Sequence, residues 1–266
     1  MQNLFKIDLK RAICNKQFII MITIGILISF VHLYLEVIPY IKYYENGSAY
    51  FNPFVKWISS EWSSSLSCLF YFLLPALASF PYCQSYWVDK NSGFNKNIYT
   101  RAKRKNYFIS RYITNFIIGG IVVIVPLILN FYILLMMVPA INPSVFSLNS
   151  LHIEMFSSLF YFHPYLYVSI YMILAFIFGG TFASIGLAIS AYCKNKFLVV
   201  STPILIYISM SIFELVELPY LVPLKFLSAG QPVYPINILS IIIIFLILFV
   251  SSLLAYIKGV SKDECI

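Results

Sequence analysis

Long apolar runs separated by short polar segments dominate the chain. Uncharged or nearly uncharged stretches recur at about 18–35, 66–88, 112–138, 165–192, 197–213 and 236–257. Each approaches the roughly 20 residues that an α-helix needs to cross a hydrocarbon core about 30 Å thick. The second stretch holds Pro75 and Pro81, which predict kinks, because each removes a backbone donor. The third contains Gly119, Gly120 and Pro126, and the fifth contains Pro203. In the fourth, Gly179 with Ala183 and Gly180 with Ser184 form a small-residue face, which predicts close helix packing rather than a ligand site.

Ahead of the first run, residues 1–17 place Phe5, Leu9, Ala12 and Ile13 along one stripe, with Lys6, Asp8, Lys10 and Arg11 elsewhere on the surface. That pattern predicts an amphipathic helix on the cytoplasmic face. Between the runs, residues 36–61 and 214–235 are rich in Pro, Gly and aromatics. The first predicts a loop or short interfacial helix, the second an extracellular loop or a re-entrant hairpin. The fold expected is an all-α membrane protein with six transmembrane helices, an N-terminal amphipathic interfacial helix and a short tail at 259–266.

Composition supports a lipid solvent: 61% of the 266 residues are hydrophobic and 11% are charged. A soluble domain of this size cannot cover so much apolar surface. Cation placement supplies the orientation. Residues 1–17, 89–111, 194–196 and 258–266 carry 15 of the 18 Lys and Arg residues, leaving Lys42, Lys56 and Lys225 on the other side. By the positive-inside rule the first group faces the cytoplasm, with both termini there. A net charge of +8 concentrated beside the spans points to anionic lipid and an acidic protein partner, not nucleic acid. The first apolar run begins after Lys16 and is too long for a signal h-region, so no cleavable signal is expected. Five cysteines without metal-type spacing are expected to be structural thiols.

The most polar segment, residues 89–111, interleaves Phe94, Ile98 and Tyr99 with Asn91, Asn97 and the cluster Arg101, Lys103, Arg104 and Lys105. Charges alone would satisfy a topology signal. Apolar residues among them predict a short helix that docks in a groove on a cytoplasmic partner. With Asp89, Gly93, Thr100 and Arg104 in order after the second span, the layout resembles the permeases of type-2 ATP-binding-cassette exporters. The resemblance covers nearly the whole chain in layout. This chain departs from the usual pattern by carrying Asp89 where that family usually has Glu, and Arg101 where it often has Pro.

The resemblance implies that 89–111 is a coupling loop against an ATP-binding subunit present in two copies, with Lys194 and Lys196 as a second contact. It also implies a second permease protomer, the same or homologous, and ATP and Mg held by the partner rather than by this chain. No phosphate-binding glycine loop, His-Glu-x-x-His pair or Gly-x-Ser-x-Gly turn occurs in the sequence, so an enzymatic role is not expected. His32, His152 and His163 are too scattered to suggest a site. Glu36, Glu214 and Glu217 lie at the outer ends of spans one and five, where they either face a water-filled exit or are solvated among headgroups.

No ionisable residue falls near a predicted span centre, which lowers an ion-coupled carrier reading and favours an amphipathic or hydrophobic cargo, such as an antimicrobial peptide or a drug. The function expected is the permease subunit of an exporter in a bacterial cytoplasmic membrane. A lipid or glycan exporter permease and a stand-alone membrane immunity or interaction protein remain alternatives.

Overall fold

The computed structural model describes residues 2–41, 52–61, 63–99, 103–143, 153, 155–193, 195–231 and 236–262. Most of these residues are helical, with no strand among them. The helices are α1 (Gln2–Ile13), α2 (Lys16–His32), α3 (Pro53–Lys56), α4 (Ser65–Ser79), α5 (Ser85–Asn91), α6 (Phe94–Tyr99), α7 (Arg104–Met137), α8 (Ser157–Phe162), α9 (Pro164–Ser190), α10 (Lys196–Met210), α11 (Pro223–Phe226) and α12 (Ile238–Lys262).

Five helical segments are long and apolar enough to cross a membrane: Lys16–Tyr40, Arg104–Met137, Pro164–Ser190, Lys196–Glu214 and Ile238–Ser261. They mark a multi-pass membrane protein. The first joins α2 to a π-helical turn, Leu33–Val37, and a 3-10 turn, Ile38–Tyr40. The fourth joins α10 to the 3-10 turn Ser211–Glu214.

The remaining apolar run, predicted as one span over 66–88, divides in two. Helix α4 has 15 residues, about 22 Å at 1.5 Å per residue. It continues through Pro75 and stops before a turn at 80–84, after which α5 restarts. Pro81 lies in that turn, as expected of a residue with no N–H to give. The turn is held from below by Asn15, whose Nδ2 donates to the Pro81 carbonyl at 2.8 Å while its Oδ1 accepts the Gln17 N–H as the N-cap of α2.

Helix α9 is the hub, packing against α4, α7, α10 and α12. In its most apolar window 67% of residues are buried, against 17% for α12, which turns most of its surface outward. The α7–α9 crossing uses the predicted small-residue face and a second one on α7. A Cβ on Gly119 would lie 2.4 Å from the Ala183 Cβ, and one on Gly180 would lie 2.8 Å from the Phe116 ring. Only residues without a side chain let these backbones approach so closely.

Two further differences concern element ends. Helix α7 begins at Arg104, well before the predicted start at 112, and α12 runs to Lys262, into the expected tail. Residues 263–266 lie outside the described residues.

Candidate functional site

Both ends of the bundle hold buried polar networks. The first gathers α1, α5, α6 and α7. Asp89, at the end of α5, is 2% exposed. Arg11 of α1 clasps its carboxylate with two hydrogen bonds of 3.1 and 2.8 Å. Arg111 of α7 approaches the same carboxylate at 2.6 Å. The Tyr107 hydroxyl lies 2.9 Å from Asp89 and 2.9 Å from the Asn95 side chain of α6.

Asp8 completes the cluster. It accepts from Ser110 at 2.9 Å and from Arg111 at 3.3 Å. Two arginines, Arg111 buried and Arg11 at the rim, thus face two aspartates, so the charges of the cluster sum to zero. The rest of the Arg111 guanidinium rests against the Tyr107 ring at 4.7 Å and the Tyr82 ring at 5.8 Å, a cation–π arrangement.

The charges set the protonation state. Burial alone would push the Asp89 carboxyl up, but the Arg11 hydrogen bonds and the positive fields of Arg111 and Arg11 outweigh it and hold the pKa below the ordinary 3.8. The Asp89 hydrogen bond raises the Arg11 pKa in turn. Both remain charged at neutral pH.

From this anchored base α6 projects outward. Gly93 links α5 to α6 with φ of +72°, a left-handed conformation that costs a side-chain-bearing residue energy. Phe94 begins α6 with its ring 4.7 Å beneath the Arg11 guanidinium. Phe94 is 38% exposed and Ile98 is partly buried. The short helix is therefore tied to α1 through Arg11 and to α7 through Asn95 and Tyr107.

No family model matches the chain, and comparison with curated proteins and with solved structures gives no significant match.

Among the residues singled out in the sequence, Asn91, Arg104 and Lys196 are exposed at helix ends. Thr100, Arg101 and Lys194 lie outside the described residues, as do the side chains of Asn97 and Tyr99. Asp89 differs most from expectation. Its carboxylate is held by Arg11, Arg111 and Tyr107 inside the chain, so it ties α5 to α1 and α7. The sequence analysis missed Asp8, Arg11, Tyr107 and Arg111. One signal was available: with Phe5 and Leu9 partly buried and Ala12 buried, position 8 falls on the same face of α1, and Ile7 and Ile13 face outward.

The second network lies at the opposite end. Residues 57–60 enter the bundle with Trp57, Ile58 and Ser59 fully buried. Asn130 of α7 organises the entry. Its oxygen accepts the Ile58 N–H at 3.2 Å, its amide donates to the Ser29 carbonyl at 3.1 Å, and it lies 3.4 Å from His32 Nδ1. On its other side His32 Nε2 faces the Glu61 carboxylate at 3.4 Å. Lys56 pairs with the other Glu61 oxygen. His32 is thus wholly buried between Asn130 and Glu61, whereas the sequence left it as a scattered residue.

Residues 226–231 pack beside this segment. Ala229 N donates to the Ser59 carbonyl at 2.8 Å, Ser228 to the same oxygen at 2.7 Å, and Tyr167 to the Ala229 carbonyl at 2.6 Å. Within 214–235, residues 226–231 are buried and 214–217 exposed, and residues 232–235 lie outside the described residues. Glu214 is half exposed and pairs with Lys225 at 3.2 Å. Glu217 is exposed with φ of +59°, and Glu36 is partly buried in the π-turn.

Proposed function

We propose that this chain is the membrane-embedded permease subunit of an ATP-driven exporter in a bacterial cytoplasmic membrane, with α6 and the residues after it as the contact for a separate ATP-hydrolysing subunit. One observation carries the reading. A short helix that begins with the partly exposed Phe94 is tied to α1 by the stacking of Arg11 on that ring and to the 34-residue helix α7 by the Tyr107–Asn95 hydrogen bond, beside the ion pairs that join α1, α5 and α7. A push on α6 passes directly into α7, and from there into the α7–α9 crossing. Loops that merely connect spans need no such base.

On this reading α4 and α5 together make a sixth crossing, α1 lies along the cytoplasmic face, and both termini are cytoplasmic, in keeping with the cation distribution. The ATP-binding subunit is present in two copies and the permease works with a second protomer. The cargo is amphipathic or hydrophobic, such as an antimicrobial peptide or a drug.

Purification of the tagged chain from its native membrane in mild detergent tests the reading. An ATP-binding subunit is expected to co-purify, and Phe94→Asp or Ile98→Asp is expected to release it while the permease remains monodisperse. A chain that purifies without any nucleotide-hydrolysing partner contradicts the proposal.

A further inference from the structure

At the end of the bundle that carries α1, a groove of about 560 Å³ opens between the first turns of α7 and the last turns of α12. The two helices run antiparallel, so Lys105 and Ser261 mark the same end of the groove and Ile113 and Phe249 the other. Its floor is aromatic. Phe108, Tyr112, Phe249 and Tyr256 touch edge to face or tilted, and Tyr112 and Ser252 exchange a hydrogen bond of 2.9 Å. Behind it, α12 is pinned to the end of α9, where a Cβ on Gly259 would lie 2.6 Å from the Ala191 Cβ. That contact holds α12 in place on one side while the groove stays open on the other.

Length and charge identify an occupant. From Lys105 to Ile113 the groove follows α7 for about 12 Å, and from Phe249 to Ser261 it follows α12 for about 18 Å, at 1.5 Å per residue. Half of a hydrocarbon core is about 15 Å, so the groove is one leaflet deep. It has a cationic end and an apolar end. Lys103, Arg104 and Lys105 stand at the start of α7, where the Lys103 side chain makes no capping bond and the first N–H groups of a long helix add positive potential.

We propose that this groove is a binding site for an anionic phospholipid of the surrounding leaflet. One acyl chain lies along the aromatic floor, and the phosphate sits at the level of Lys105. Basic ends on apolar inter-helical grooves favour anionic over zwitterionic headgroups, and the acyl chain is held by van der Waals packing on the aromatic floor. The proposal is independent of any ATP-hydrolysing partner.

Native mass spectrometry of the purified chain, exchanged into nanodiscs of phosphatidylcholine with equimolar phosphatidylglycerol, tests it. Wild-type protein is expected to retain phosphatidylglycerol preferentially. Lys105→Gln is expected to reduce that preference by about fivefold, the effect of one cation near the surface. Ile109→Trp, at an exposed position on the groove wall, is expected to abolish retention of either lipid while the protein stays monodisperse. Equal retention of the two lipids by wild type overturns the proposal. So does an unchanged preference in Lys105→Gln, or a groove occupied by a second copy of the chain.

Discussion

Asp89 and Arg111 bind three helices into one unit, and their chemistry sets how that unit fails. Asp89→Ala leaves Arg111 fully buried with only Asp8, at 3.3 Å, to oppose its charge. Breaking a buried pair from one side costs about 3–5 kcal/mol, so a clear drop in the melting temperature of the detergent-solubilised protein is expected. Acid acts on the same group. Because the folded pKa lies below the ordinary 3.8, the pairing stabilises the fold fully above that value and is lost as pH falls through the depressed one. The wild-type melting temperature should therefore fall in acid below 3.8, and Asp89→Asn should flatten that fall. At the other end, Asn130→Leu keeps the volume but leaves the Ile58 N–H without its acceptor, a cost of about 1–3 kcal/mol. Segment 57–60 should then loosen, seen as faster thiol labelling of a cysteine placed at Ser60.

Residue pattern reveals some of these roles and hides others. Gly179, Gly180 and Ala183 were legible as a packing face, because small residues at four-residue spacing have few other uses in an apolar helix. Asp8 and Arg111 were not. A charge on a short amphipathic helix and a charge at the edge of a span both read as solvated positions, and only the approach of α1 to α7 shows that they neutralise one another. His32 was hidden for the same reason, since its partners Asn130 and Glu61 are distant in sequence.

At the scale of elements, hydropathy located the apolar runs but not their continuity. Run 66–88 has the composition of one span, yet a turn at 80–84, with Pro81 and the Asn15 bond to its carbonyl, separates α4 from α5, which carries Asp89 of the ion network. The α7–α9 crossing is close-packed at its glycines, where an added Cβ would meet neighbouring atoms at 3.0 Å or less. Gly119→Val would drive a side chain into Ala183 and the Gly179 carbonyl. Overpacking of this kind costs about 1–3 kcal/mol, and the variant should melt lower in detergent and lose monodispersity. An equally large residue at exposed Ile247, on the outward face of α12, should leave both unchanged.

For the whole molecule, the two networks divide the labour. One fixes α1, α5 and α6 to α7, and the other plugs residues 57–61 and 226–231 into the opposite end. Helix α7 belongs to both through Arg111 and Asn130, nineteen residues or about 28 Å apart along one helix, and on the proposed function a displacement at one end reaches the other through it. The central claim is that α6 receives that displacement from an ATP-hydrolysing subunit. A photo-crosslinking residue placed at Ile98 in the native membrane tests it most directly: the claim predicts a covalent adduct with an ATP-binding chain, and adducts with lipid alone, or none, would contradict it.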